Sequence, residues 1–454
     1  MEDPQQRAAS LVRALDEAGV AYVLGSFVDS GGINRVKAVP LDGLVSAVRS
    51  GIGISSCWNT ALSDDTFTET AASSGPSGDL RLLPDLDTLV QLADTPRWAW
   101  VALDQRLQNG EVSPGCQRSF LKRMVRRAEE QGLSLKMAYE FEWFMAREES
   151  GELIPIHSGP GYSSTAWVQV RGLAEDLLSA LALQQMQVEQ FHPEYSLGQV
   201  EVSLGVCDPL RTADWNVLFR HTVRSVSARH GCRASFSPIS LAGQVGNGCH
   251  IHFSLWNATA ENLFTGGDRI LELTAEGEAF LAGVYAELPA IIAVTCPTVL
   301  SYHRIQPHHW AGAYHCWGHE NREAALRFIQ GMVGSRGQNS NMELKSADTA
   351  GHPYLTPAVI IAAGLAGLEQ GLRLPPPISE DPASLSEDEL AARGIQRLPQ
   401  SLDDAAQALA ESQVLRAAMG DFLHDCTVAV RRAEAEASRG LALDDLVNSH
   451  LWRF

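Results

Sequence analysis

Two glutamates separated by one residue, Glu140 and Glu142, lie in an apolar segment of the chain. Side chains alternate along a β-strand, so both carboxylates are expected on one face. The neighbouring Phe141 and Phe144 indicate a mostly buried strand, and a buried carboxylate pair needs a counter-charge. Taken alone, the pair is better explained by a solvated strand face, so its interpretation depends on the segments that follow.

A second acidic segment covers residues 189–201. It contains Glu189, Glu194 and Glu201, and it predicts two strands joined by a turn at Leu197–Gly198. Such a turn would bring Glu194 and Glu201 toward one place.

A third segment begins with a glycine turn at Gly246. The strand predicted after this turn has His250, His252 and Ser254 on one face. A single histidine is more often structural than a ligand, and two histidines at this spacing favour a binding role only weakly.

Two further segments carry basic residues. One contains Arg322 and Arg327, and the other contains Glu343 and Lys345. Each segment alone is compatible with surface salt bridges. Carboxylates accompanied by few histidines favour Mg²⁺ or Mn²⁺ over zinc, and cations beside such metals are what phosphoryl transfer requires. Together the five segments predict a metal-dependent site for phosphoryl transfer.

Helices and strands must position these segments. We predict a helix over residues 5–19, a hairpin of strands at 22–29 and 35–39, and loops with short strands over 51–95. Further strands are predicted at residues 135–145, 187–192, 199–204, 249–256 and 325–329, and further helices at residues 117–131, 172–185, 212–230, 275–293, 356–373 and within 402–446. This mixture is typical of an α/β catalytic domain.

Length and composition limit the classes of protein. The 454 residues favour two domains, 1–110 and 111–454. The net charge of −19 disfavours nucleic acid as a partner. No apolar run is expected to span a membrane and no signal peptide is evident, so we predict no membrane partner and a cytoplasmic location. The eight cysteines form no C-x-x-C pair, which favours reduced thiols.

The five segments, in this order, resemble the glutamine synthetase family across nearly the whole chain. The matching residues are Glu140-x-Glu142; His192-x-Glu194 with Gly198-Gln199-x-Glu201; Gly246 through Leu255; Ser301-Tyr302-x-Arg304; Asn321 through Arg327; and Glu343-x-Lys345 with Asp348 and Pro353-Tyr354-Leu355. One such match would be weak evidence, whereas the ordered set is specific.

The resemblance implies an α+β fold, with an N-terminal β-grasp domain followed by an α/β catalytic domain that has a curved antiparallel sheet and helices. It also implies a homo-oligomer, commonly a dodecamer of two hexameric rings with active sites between subunits. In the implied reaction, ATP phosphorylates the γ-carboxylate of glutamate in the presence of two to three Mg²⁺ or Mn²⁺ ions. An amine then displaces phosphate from the γ-glutamyl phosphate.

The resemblance also gives each segment a role. It places one metal at Glu142, Glu194 and Glu201, and a second metal at Glu140, His250 and Glu343. It places ATP at Glu189, His252 and Ser254, glutamate at Gly246 and Arg304, and the transferred phosphate at the catalytic residues Arg322, Arg327 and Lys345. Arginine forks suit carboxylates and phosphates because they bind both in a bidentate manner.

Two positions differ from the ammonia-using members of the family. A flap glutamate aligns with Trp310, and an N-terminal aspartate aligns with Gly53. Loss of both carboxylates leaves a larger site with aromatic walls, so we predict an organic amine (ethanolamine, polyamine, alkylamine or aniline type) as the nucleophile. The candidate pocket residues are Trp310, His309, His303 and Trp58. Trp310 could stack on an aryl amine or bind an alkylammonium through a cation–π contact.

Smaller differences concern the nucleotide and the phosphate, because Lys345 and Asn341 occupy positions where the family has arginine. Residues 374–402 contain no tyrosine, so the adenylylation switch of some bacterial members is not expected. An ordinary glutamine synthetase and a catalytically silent relative are the alternatives. The silent relative would have broken metal ligands, and all six expected ligands are present.

Overall fold

The N-terminal part of the computed structural model is a mixed β-sheet. The structure describes residues 3–71, 73 and 77–454, so the predicted loop region 51–95 is described except at 72 and 74–76. The strands are β1 (Tyr22–Val28), β2 (Asn34–Pro40), β3 (Ile52–Ser55), β4 (Asp79–Pro84), β5 (Val90–Gln91) and β6 (Trp98–Arg106). Their order is β2-β1-β6-β4-β3, with β5 paired to β6 and with β1 parallel to β6. The predicted hairpin is confirmed.

Two helices accompany this sheet, α1 (Pro4–Glu17) and α2 (Leu44–Ser50). Asp3 caps α1 by accepting a hydrogen bond from the Gln5 N–H, and Pro4 occupies the first turn, where its missing N–H has no consequence. Ala8 is completely buried against the sheet. The β-grasp prediction is confirmed, whereas α2 was not predicted because seven residues show little periodicity.

The second sheet has nine strands. They are β7 (Leu133–Glu149), β8 (Glu152–Pro155), β9 (Val188–Pro193), β10 (Gln199–Leu204), β11 (Arg233–Ser235), β12 (Cys249–Asn257), β13 (Tyr314–His319), β14 (Ala324–Ile329) and β15 (Asn341–Leu344). Their order is β13-β14-β15-β12-β7-β10-β9, and β8 and β11 both pair with β7. The sheet is antiparallel except for β13 and β14, which are parallel. The fold class is confirmed with that correction.

Strand β7 is central to this sheet, and its two faces differ. Met137, Phe141 and Trp143 are fully buried on the core face, whereas Glu140 and Glu142 alternate with them on the opposite, less buried face. The predicted alternation of the two glutamates is therefore observed, in a strand longer than expected at both ends.

The helices after the first sheet are α3 (Gln117–Glu130), α4 (Ser164–Leu183), α5 (Pro209–Arg229), α6 (Ala275–Thr295), α7 (Val299–Arg304), α8 (Arg336–Asn339), α9 (Leu355–Gln370), α10 (Glu387–Ala392), α11 (Leu402–Glu411), α12 (Gln413–Met419), α13 (Asp421–Ala437) and α14 (Leu443–His450). Helices α3 and α5 pack against β7 of the second sheet. Helix α6 is long and apolar enough to cross a membrane, which corrects the expectation that no run reaches that length. Its most apolar window is 78% buried within the protein, where α6 packs on α9, as is typical of a core helix.

A buried ion-pair network joins the first sheet to helices α3 and α5. Arg118 on α3 contacts Asp214 of α5 through Nε at 2.8 Å and Nη2 at 2.7 Å. Its Nη1 lies 2.8 Å from Asp85 and 2.9 Å from Asp104 of the N-terminal part. Removing one member of such a network would leave buried charge uncompensated. A domain boundary near residue 110, between β6 and α3, stays a prediction.

Candidate active site

The strand register aligns acidic and histidine side chains in rows across the second sheet. His192 on β9 is opposite Glu201 on β10, and Glu201 is in turn opposite Glu142 on β7. Two residues along β7, and therefore on the same face, Glu140 is opposite His250 on β12. The neighbouring positions in a row are directly opposed across adjacent strands, which brings their side chains within contact distance.

The first cluster contains His192, Glu194 and Glu201. One potential ligand atom from each residue lies within 4.8 Å of the other two, as required for a shared metal ion. His192 Nε2 is 3.0 Å from Glu201 Oε1, and Tyr162 donates its hydroxyl hydrogen to Glu194. Sequence reasoning did not assign a role to His192, although its spacing from Glu194 places the two on one strand face.

The second cluster is centred on Glu343 of β15, which is opposite His252 of β12 and Arg327 of β14. Glu140, His252 and Glu343 satisfy the same 4.8 Å criterion. His250 also contacts both carboxylates, with Nδ1 2.9 Å from Glu140 Oε1 and 3.2 Å from Glu343 Oε1. Burial and the nearby Lys345 lower the pKa of His250, so its ring is neutral at pH 7.

The carboxylates of the first cluster and of the neighbouring Glu140 and Glu142 repel one another. Burial raises the pKa of Glu142 to about 7, with the charges of Glu194 and Glu140 acting in the same direction and Arg304 opposing them. Burial and the charges of Glu140 and Glu142 likewise raise the pKa of Glu201 to about 7. Carboxylates held together in this way favour a bound cation, because a cation relieves both the repulsion and the cost of burial.

Basic side chains face the carboxylates across a cavity of about 950 Å³. Arg304 is buried, with 4% of its surface exposed, and its Nη2 lies 3.4 Å from His250 Nε2. Arg327 Nη1 is 3.1 Å from Glu343 Oε2, and Lys345 Nζ is 3.2 Å from Glu343 Oε1. The predicted site residues that line this cavity are Glu140, Glu142, Glu194, Glu201, Gly246, His250, Arg304, His309, Trp310, Arg322, Arg327 and Lys345.

Glycines allow this close approach. The N–H of Gly248, just before β12, donates to Glu142 Oε2 at 2.7 Å. A Cβ atom at Gly248 would lie 2.7 Å from His250 Nε2 and 2.8 Å from Arg304 Nη2, so a side chain would displace both. Gly246 also has no room for a side chain, because a Cβ atom added there would lie 2.3 Å from the Pro238 carbonyl oxygen.

A second cavity of about 240 Å³ lies further along β12, and both His252 and Ser254 line it. His252 Nδ1 is 2.9 Å from Asn341 Oδ1, and Ser254 accepts a hydrogen bond from the Trp256 indole. Glu189, the third residue predicted to contact ATP, is exposed, lines neither cavity, and accepts a hydrogen bond from Gln187 at 2.7 Å.

Of the residues predicted to form the amine pocket, Trp310 and His309 line the mouth of the larger cavity. His303 is exposed on α7 and lies outside this cavity. Trp58 belongs to the N-terminal part, where Arg35 lies over its ring at 4.4 Å, so the fold of this chain does not bring Trp58 to the other residues. Tyr195, which was not predicted, packs edge-to-face against Trp310 with ring centroids 5.5 Å apart.

Comparison with known proteins identifies the family. Residues 10–115 match the glutamine synthetase N-terminal domain, and residues 114–444 match the glutamine synthetase catalytic domain. The chain belongs to the glutamine synthetase family. As a glutamine synthetase family member it carries most of the predicted carboxylates and arginines of the motif segments, together with His250, around one cavity.

Three relatives distinguish branches within the glutamine synthetase family. A protein named gamma-glutamylpolyamine synthetase GlnA3, from Streptomyces coelicolor, is 44% identical over 99% of this chain and 97% of its own length. A protein named glutamine synthetase, from Halobacterium salinarum, is 31% identical over 78% of this chain and 79% of its own. The solved structure of a GmaS/ADP complex superimposes with a TM-score of 0.83 and 30% identity over 99% of both chains. The predicted family and ligase branch are confirmed.

Proposed function

We propose that this protein is an ATP-dependent ligase that joins the γ-carboxylate of glutamate to an organic amine of the polyamine class. The observation that carries the proposal is the cavity in which rows of carboxylates and histidines face Arg304, Arg322 and Arg327. Metal ligands opposite arginines suit phosphoryl transfer to a carboxylate, which is otherwise a poor electrophile. The 44% identity with the gamma-glutamylpolyamine synthetase favours a polyamine among the organic amines considered.

The two clusters fit divalent cations. Among the described residues, the buried atoms Glu194 Oε2 and His192 Nδ1 have no hydrogen-bond partner, and they belong to a group already spaced for a shared ion. We assign one ion to Glu142, Glu194 and Glu201, with His192 nearby. Oxygen-rich ligand sets favour Mg²⁺ or Mn²⁺.

A second ion is assigned to Glu140, His250 and Glu343. His250 Nδ1 is the nitrogen that already contacts both carboxylates, so it is placed to share an ion with them. His252, which meets the 4.8 Å criterion with Glu140 and Glu343, is an alternative donor on the same strand. Two to three bound ions would neutralise phosphate charge during the transfer.

The arginines are assigned by their positions. Arg304 is buried beside Gly246, and among the described residues its Nη1 has no hydrogen-bond partner, so it can hold the glutamate α-carboxylate. Arg322 and Arg327 line the cavity and are placed to bind the transferred phosphate, while Lys345 balances the buried charge of Glu343.

The nucleotide is assigned to the second cavity. His250 lines the first cavity and His252 and Ser254 line the second, so one strand face connects the two sites. ATP bound at His252 and Ser254 would direct its phosphates toward the carboxylate clusters. Glu189 belongs to this assignment by family position only.

A homo-oligomer, with a dodecamer of two hexameric rings as the expected form, is part of the proposal. The position of Trp58 supports it, because Trp58 and Gly53 could complete an amine pocket only in a neighbouring subunit. A cytoplasmic location remains part of the same proposal.

The ordinary glutamine synthetase is the second candidate, and the 31% identity with the Halobacterium salinarum protein is what favours it. The catalytically silent relative is opposed by the presence of all six expected metal ligands around the two clusters. Trp310 in place of a flap carboxylate favours the organic amine over ammonia.

The test is ADP release by the full-length protein with ATP, Mg²⁺ and glutamate and a panel of amines: ammonium, methylamine, ethanolamine, putrescine, spermidine and aniline. Turnover confined to putrescine and spermidine is the expected result. Turnover with ammonium alone would reject the proposal and show ordinary glutamine synthetase activity. Turnover with another organic amine would support the ligase activity but reject the polyamine class as its substrate.

A further inference from the structure

Aromatic side chains form a continuous file from the carboxylates to the cavity mouth. Tyr162, which hydrogen-bonds Glu194, packs edge-to-face on Tyr195 with ring centroids 6.0 Å apart, and Tyr195 packs edge-to-face on Trp310 at 5.5 Å. All three line the cavity wall. The file therefore begins beside the proposed metal ligands and ends at the mouth of the cavity.

The outer two rings are unusually exposed for their size. Tyr195 is 56% exposed and Trp310 is 50% exposed, although large aromatic side chains are normally well buried. An edge-to-face pair leaves ring faces open, because one ring directs its edge, and not its face, at its neighbour. Open ring faces at the mouth of the cavity are surfaces on which a cation can bind.

The backbone of Trp310 is constrained. Its φ of 52° lies in the left-handed region, which is uncommon for a tryptophan. The N–H of Trp310 donates a hydrogen bond to Glu323 Oε1 at 3.0 Å. His308, two residues earlier, also has a positive φ and contacts Asp381 at 3.0 Å. Two carboxylates therefore hold the loop in a strained conformation that directs Trp310 toward Tyr195.

We infer that Tyr195 and Trp310 bind the outer ammonium group of a diamine or polyamine while its inner amino group attacks the activated glutamate. Glu323 is the residue that positions Trp310 for this contact. This inference rests on the proposed function. A substrate that touches both ends of the file must be elongated, and an amine with a second positive charge gains a cation–π contact from the open ring faces. Ammonium and methylamine are too short to contact Tyr195 and Trp310 together with the inner carboxylates.

The experiment compares putrescine with n-butylamine, which has the same carbon chain but lacks the outer ammonium group. The quantity measured is the ratio of their kcat/KM values in the full-length enzyme. In Trp310→Leu and Tyr195→Leu the ratio is expected to fall roughly 2- to 30-fold, the range that corresponds to one cation–π contact. Trp310→Phe, which keeps a ring, should preserve most of the ratio.

A matched control is Trp167→Leu, since Trp167 is a 39% exposed tryptophan on α4 that does not line the cavity. Its ratio should equal that of the wild type. A wild-type enzyme that uses putrescine and n-butylamine equally, or a Trp310→Leu variant that loses both amines in proportion, would overturn the inference and leave the ligase intact. A wild-type enzyme that uses ammonium alone would instead reject the proposed function.

Discussion

The carboxylate of Glu323 accepts a hydrogen bond from the backbone N–H of Trp310, with a distance of 3.0 Å between Oε1 and N. Glu323 is buried, with 8% of its surface exposed, and it adjoins Arg322, which lines the cavity. The conformation of the loop that carries Trp310 is thus coupled to a segment that holds a proposed phosphate-binding residue.

This coupling predicts different results for two substitutions at Glu323. Glu323→Ala removes the acceptor, so the strained Trp310 backbone should relax and the preference for putrescine over n-butylamine should fall about as far as in Trp310→Leu. Glu323→Gln keeps an acceptor oxygen and should restore the preference. The same kinetic comparison measures both variants. Equal preferences in Glu323→Ala and the wild type would mean that the hydrogen bond does not position Trp310.

Much of the metal site could be predicted because its residues are close in sequence or lie on single strands. The alternation of Glu140 and Glu142 and the face shared by His250 and His252 follow from strand geometry alone. The order of the motif segments identified the family before any contact was known.

The other contacts of the site could not be predicted from the sequence, because they depend on which strands become neighbours. The strand order β15-β12-β7-β10-β9 is not the chain order, so the opposition of His192, Glu201 and Glu142 could not be derived from spacing. The contact of Tyr195 with Trp310 joins loops that are distant in sequence, and it depends on tertiary packing. His303 was proposed for the amine pocket and is exposed on α7 outside the cavity, since sequence position alone does not determine the direction of a helical side chain.

Removing one buried carboxylate should stabilise the metal-free protein and weaken the stabilisation that Mg²⁺ provides. Burial and like charges raise the pKa values of Glu142 and Glu201 to about 7, so these groups destabilise the metal-free protein. Glu201→Gln should therefore raise the Tm of the metal-free protein by about 1–2 °C, reduce the further increase produced by Mg²⁺, and lower kcat about 100-fold or more. Thermal unfolding with and without Mg²⁺ measures the first two effects.

The matched control for that experiment is Glu149→Gln at the exposed end of β7, the strand that pairs with the one carrying Glu201. It should alter neither the Tm of the metal-free protein nor the response to Mg²⁺. An Mg²⁺-induced increase of the same size in Glu201→Gln and the wild type would show that Glu201 is not a ligand.

Arg304→Lys should weaken glutamate binding more than ATP binding. Lysine keeps the positive charge but lacks the fork that binds a carboxylate through two nitrogens, and Arg304 Nη1 has no hydrogen-bond partner among the described residues. The KM for glutamate should rise roughly 10- to 100-fold, the size expected for losing one charged hydrogen bond, with a smaller change in the KM for ATP. Steady-state kinetics with each substrate varied in turn tests this, and equal increases for both substrates would contradict the assignment.

His352 should make the stability of the protein depend on pH. It is fully buried, and its Nδ1 accepts hydrogen bonds from the N–H groups of Tyr354 and Leu355 at the start of α9, each at 3.2 Å. Burial and the charges of Arg431 and Arg220 lower its pKa to about 3. Between that value and the unfolded-state pKa near 6.5, the unfolded chain binds the extra proton, so stability falls as the pH falls.

His352→Asn tests this contribution, because asparagine offers a side-chain oxygen to the same N–H groups and does not titrate. At pH 7 to 8 the variant should be less stable by about 1 kcal/mol, owing to the altered cap. From pH 6 down to pH 4.5 its free energy of unfolding should fall less steeply than that of the wild type, by up to about 1.4 kcal/mol per pH unit. Urea unfolding at one fixed protein concentration measures both curves, since an oligomer's apparent stability varies with concentration. Parallel curves would mean that His352 takes up its proton equally in the folded and unfolded states.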